Sequence, residues 1–270
     1  MTEPLRGTPT VLVLNLPQKK VSQMTDSQII EVQAQIANSI AKKLNENRKA
    51  TTVTNAIELL MIRIVAAGNS LRVLQEHAPH DVAFDGAMIL RGIYDSMLQA
   101  LYILNDPPCQ EARAALYLEY RWIEKRKRIE LFDSNSTTLA QRLSQSPLRQ
   151  STEPAIDREF QRVRGNYENS KQRLRNHWYE GSLRDLATTT GFESEYEVLQ
   201  QLLSGAVHAS SLALQEGPNF EGFLVMDFAW RFSLRVLGKF AEYANIKLDD
   251  VETTLIRSAS ENVLNFEPTA

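Results

Sequence analysis

Apolar positions recur every three or four residues along most of the chain, the spacing of one helical face. Thr25 and Gln28 have capping-box spacing, and Ile29, Val32, Ile36, Ile40 and Leu44 then mark one face of a first helix. A second helix is predicted over residues 52–77, with Ile57, Leu60, Met61, Ile64, Val65, Leu71 and Leu74 inward, ending before Pro79. A third, over 85–105, is apolar on nearly every side and is predicted to be the central helix. Asp106, Pro107 and Pro108 close it and open a fourth, over 109–132. Residues 133–153 are rich in Ser, Thr and Gln. They read as a mobile connection or a short helix between loops. A fifth, mostly polar helix is predicted over 154–175.

Ser182 and Asp185 form another capping box, and Gly191 is placed to end a short helix between them. Helices follow over 192–210, 221–246 and 248–264, with Gly217 and Pro218 breaking the chain. The first 20 residues hold three prolines and the run TVLVLNL, either one short strand or an extended arm. The expected fold is therefore all-α: a helical bundle of about eight or nine helices with a short extended N-terminal arm. Residues 1–20 are the arm, and residues 21–270 are expected to form a single helical domain.

Composition restricts the function classes. Of 270 residues, 43% are apolar and 23% charged, and the net charge of -3 makes any nucleic-acid contact local. Cys109 is the only cysteine, so an internal disulfide and a cysteine-based zinc site are excluded. No leader pattern and no uncharged apolar run of about 20 residues are visible, so a cytoplasmic protein with no membrane contact is expected. No cofactor motif or metal-ligand pattern stands out. His77 and His80 flank Pro79 and read as a surface loop.

Polar groups in apolar helices are the candidate chemistry. Arg91 and Asp95 lie four apart in the most apolar helix, flanked by Leu90, Ile93, Met97 and Leu98. Ser204 and His208 lie four apart in the equally apolar LLSGAVHASSLAL. Such groups are costly to bury unless they pair, so the two helices are expected to pack and Arg91, Asp95 and His208 to converge. The quartet reads either as a structural polar network or as an acid–base or ligand site, with arginine for an anion and histidine as proton carrier. Trp178 is a further ligand-binding candidate, expected at a corner against the helix of Tyr196 and Leu199.

The stretch HWYEGSLRDLATTTGFESEYEVLQQLLSGAVHAS (residues 177–210), with ILRGIYDSMLQALYILND upstream, resembles the bacterial family catalogued as domain of unknown function 5677. The resemblance covers roughly residues 55–215. It departs in having Asp95 where glutamate is expected. It implies an all-helical fold and no established activity.

Two functions from different classes remain. One is a protein acting through a protein partner or as a homo-oligomer. The alternative is a metal-independent ribonuclease or nucleotide-binding effector using Arg91, Asp95 and His208, since the architecture resembles the HEPN superfamily. That superfamily's signature is an arginine followed after four to six residues by a histidine. Arg173 and Arg175 stand too close to His177 to satisfy it, and 173–177 reads instead as a basic helix C-terminus. Arg121, Lys125 and Arg128, with Trp122 among them, are nucleic-acid-binding candidates diluted by Glu119, Glu124 and Glu130.

Overall fold

A computed structural model describes residues 24–46, 51–134, 137, 138, 141, 147–207 and 222–260. The expected N-terminal arm lies outside these residues. Nine α-helices are present among the described residues: α1 (Asp26–Glu46), α2 (Thr52–His77), α3 (Asp85–Leu104), α4 (Gln110–Ser134), α5 (Pro147–Val163), α6 (Leu183–Thr190), α7 (Glu193–Val207), α8 (Gly222–Tyr243) and α9 (Asp250–Ser260). Short 3₁₀ turns at Pro79–Asp81, Pro107–Cys109 and Arg164–Tyr167 join some of them. The only β-type pairing among the described residues is one isolated bridge between Glu168 and Leu174. The all-α expectation holds. No described helix is long and apolar enough to cross a membrane.

Local sequence explains the helix ends. Thr25 and Gln28 exchange the two bonds of a capping box, at 3.1 and 3.3 Å. Thr51 and Thr54 do the same at the start of α2. Ser182 and Asp185 cap α6, and Gly191 closes it at φ 82°, in the left-handed region that glycine enters without strain.

The helix α3 is the hub, packed against α2, α4, α6, α7 and α8. Leu90, Ile93, Met97, Leu98, Ala100 and Ile103 are fully buried in it. The helix α8 lies across α1, α2, α3 and α9 and buries Phe232, Leu234, Val236 and Phe240.

Two expectations are corrected. The fifth helix begins at Pro147, with Pro154 inside it, and so takes up part of the expected connection. A proline lacks the N–H for one helical bond, yet the helix continues through it. The helix also stops at Val163. Beyond it Asn169 Oδ1 accepts the N–H groups of Lys171 (2.9 Å) and Arg173 (3.1 Å), and Gln172 turns to φ 55°. This asparagine-centred turn competes successfully with helix, so Arg173 to His177 is not a helix C-terminus.

A cleft around Arg91, Asp95 and His177

The turn after α5 sends the chain back across the bundle, and several hydrogen bonds fix its course. Tyr167 donates to the Leu116 carbonyl at 2.7 Å. Tyr120 (3.0 Å) and Lys127 (2.8 Å) both donate to the Arg175 carbonyl. Then Trp178 enters the core. Its indole N–H donates to Gln99 Oε1 at 2.7 Å, and Gln99 Nε2 donates to the Asp95 carbonyl at 3.2 Å. Its ring meets Tyr102 at 5.7 Å, Tyr117 at 5.5 Å and Tyr179 at 5.7 Å, tilted or edge-on, the favourable arrangements for aromatic pairs. Trp178 is therefore a buried wall held by Gln99 and Tyr102 of α3 and by Tyr117 of α4.

With Trp178 and Tyr179 buried, the intervening geometry leaves His177 exposed. Its ring stacks on Tyr179 with centroids 5.0 Å apart and planes 6° from parallel. Burial pushes the Tyr179 phenol up to about 12, with Asp95 adding to the effect, so it stays a neutral donor at physiological pH.

His177 faces a cleft of about 600 Å³. Arg91 and Asp95 enter it from α3, Arg63 from α2, and Arg121 and Glu124 from α4. Arg91 Nε donates to Asp95 Oδ1 at 3.1 Å, and the two side chains keep 24% and 32% of their exposure, so this pair is solvent-reachable rather than sealed. Gly92 lies between them, and a Cβ there would sit 3.7 Å from an Arg63 guanidinium nitrogen. Arg63 and Arg121 make no ion pair among the described residues. Arg121 instead lies 4.8 Å from the centre of the Trp122 ring, and Lys125 lies 4.4 Å from it.

Burial raises the Asp95 carboxyl above its ordinary value, and Arg91, Arg63 and His177 only partly oppose this. The charge is thus held at a cost to folding.

The sequence candidates distribute as follows. Arg91, Asp95, Trp178 and Arg121 line the cleft. Lys125 and Arg128 are exposed on α4 outside it. Ser204 falls on α7, but its side chain, like the whole of His208, lies outside the described residues. Beside the Arg91–Asp95 pair lies His177, which sequence reasoning did not single out as a site residue. The available signal was its place in HWY, between a basic run and two aromatic rings. No cluster of three or more metal-ligating side chains occurs among the described residues.

The raised Asp95 carboxyl predicts a pH dependence. A carboxyl whose folded value exceeds its unfolded one loses stability as pH rises from about 3.8 through the folded value. Asp95→Asn is therefore expected to melt above the wild type at pH 7. The gain should shrink as the pH is lowered through that window. Melting curves between pH 7 and pH 4 check this. A variant less stable at pH 7 would mean that the Arg91 pair outweighs burial.

Comparison with known proteins places the whole cleft, Leu59 to Leu183, inside one family. No curated protein and no solved structure matches the chain. The profile of a family of unknown function, DUF5677, matches residues 54–219, more than half of the sequence, and the chain belongs to that family.

Proposed function

We propose that the cleft binds the phosphodiester backbone of RNA and cleaves it without a metal. The observation that carries this reading is the convergence of Arg63, Arg91 and Arg121 with an exposed histidine in one solvent-open cleft. Guanidinium groups match the planar oxygens of a phosphate. Arg91 is oriented by Asp95, while Arg63 and Arg121 make no direct ion pair among the described residues and are open to an anionic ligand. Beyond Arg121 the exposed face of α4 continues with Lys125, over the Trp122 ring, and then Arg128, a strip that suits a polymer better than a mononucleotide.

In the proposed reaction His177 accepts the proton of a ribose 2′-hydroxyl. The 2′-oxygen attacks the adjacent phosphorus, and the bond to the 5′-oxygen breaks. That oxygen takes a proton from solvent, leaving a 2′,3′-cyclic phosphate. Arg91 and Arg63 neutralise the charge on the non-bridging oxygens in the transition state. Asp95 is a positioning residue for Arg91.

Incubation of end-labelled single-stranded RNA with the full chain in excess EDTA tests this. Cleavage to 2′,3′-cyclic ends is expected, and none of the equivalent DNA. His177→Ala should lower the rate by about 10²–10⁴-fold. Because His177 is exposed, its melting temperature should barely move. RNA that is neither bound nor cut, or full activity in His177→Ala, would end the proposal.

A second reading, self-association, is supported by a different feature. Leu59 (52% exposed), Ile62 (66%) and Val73 (47%) are exposed apolar side chains of α2, with the exposed Asn69 between the last two. Their separations of 3 and 11 residues keep them on one side of the helix. Leu59 also lines the cleft, so a second copy seated there would border the site. Sedimentation of the wild type is expected to give a dimer that Ile62→Glu converts to a monomer. A monomeric wild type at all accessible concentrations would remove this reading.

A further inference from the structure

A second cleft, of about 620 Å³, opens where the end of α3, the α6–α7 turn, α8 and α9 meet. Its walls are apolar, with Leu101, Phe192, Ile246, Leu248 and Ile256 facing in. At its base stand two opposite charges, Glu195 from the first turn of α7 and Arg235 from the middle of α8. Their side chains are 10% and 11% exposed.

Arg235 is firmly placed. Its Nε donates to the Ala259 carbonyl at 2.8 Å, and its guanidinium lies 4.9 Å from the centre of the Phe192 ring. That leaves its terminal nitrogens for other partners. The nearest approach to a Glu195 oxygen is 3.9 Å, too far for a hydrogen bond. Among the described residues Glu195 accepts no hydrogen bond at all. The Glu195 side chain is mostly removed from water, and its carboxylate oxygens open into the cleft, free to accept from a ligand. The neighbouring Lys239 does not engage them, since it pairs with Glu242 at 2.9 Å on the rim.

We propose that this cleft is a binding site for a free apolar α-amino acid. The ligand ammonium would donate to Glu195, and its carboxylate would accept from the terminal nitrogens of Arg235. The two ligand charges sit on one carbon, so they suit protein charges that are close yet unbonded. The apolar side chain would lie against Leu101, Ile246, Leu248 and Ile256. The volume falls in the range of small-molecule pockets. This site shares no lining residue with the arginine cleft and stands independently of the ribonuclease proposal.

Titration calorimetry of the full chain with L-leucine, L-methionine and L-phenylalanine tests the proposal. Saturable binding of at least one of them is expected, with a matching rise in melting temperature. 4-Methylpentanoate, lacking the ammonium, and 3-methylbutylamine, lacking the carboxylate, should each bind weaker by about tenfold or more. Glu195→Gln, which keeps the shape and removes the charge, should lose a similar factor. Absence of binding by all three amino acids at millimolar concentration would overturn the proposal. So would equal binding of either single-charge analogue, or undiminished binding by folded Glu195→Gln. Should that variant fail to fold, the analogue comparison on the wild type decides the matter alone.

Discussion

The indole N–H of Trp178 on the side-chain oxygen of Gln99 is the bond on which the arginine cleft depends. It ties an irregular segment to the most buried helix of the bundle, at 2.7 Å. Gln99 is itself held by the Asp95 carbonyl, so the anchor and the Arg91–Asp95 pair share one stretch of α3. Tyr102 and Tyr117 close around the ring from α3 and α4. Residues on either side of an anchored tryptophan have little freedom, and the stack on Tyr179 fixes which way His177 faces. A backbone with no helical ladder of its own is thereby held in one place by side chains.

The helix α3 serves two clefts. Arg91, Asp95 and Gln99 face the arginine cleft, while Leu101 and Asn105 line the one that holds Glu195 and Arg235. Tyr94 stands between them, with its hydroxyl donating to the Phe192 carbonyl at 3.2 Å. Burial first, then the negative charges of Glu195 and Asp95, raise its phenol far above the ordinary value. Both clefts keep charge in partly buried surroundings, which raises the Asp95 carboxyl in one and lowers the Arg235 guanidinium in the other. That is the pattern expected where function rather than stability selects a residue.

Much of this fold is legible in the sequence because helix ends are local. The predicted span 52–77 coincides with α2, and the Ser182–Asp185 box and Gly191 bound α6 as their chemistry requires. The errors arise where two local rules compete. Pro154 looks like a helix start but lies inside α5, and the Asn169 turn breaks what appears as continuous polar helix. The Arg91–Asp95 pair is legible too, since i,i+4 spacing lies within one helix. Its third member is not. His177 reaches that pair only through the turn at Asn169 and the anchor at Gln99, and neither leaves a periodic trace. Glu195 and Arg235 are 40 positions apart and match no motif, so only the packing of α7 and α8 on the shared helix α3 brings them together.

A double-mutant cycle measures directly how far the Trp178–Gln99 bond holds the cleft together. Trp178→Phe removes the donor and keeps an aromatic ring, while Gln99→Met removes the acceptor at similar volume. Unfolding free energies of the wild type, both single variants and the double variant give the coupling. The bond predicts that each single change destabilises, and that the double change costs less than their sum by about 1 kcal/mol. Strict additivity would mean that the two side chains do not depend on each other, and would contradict this account of how His177 is placed.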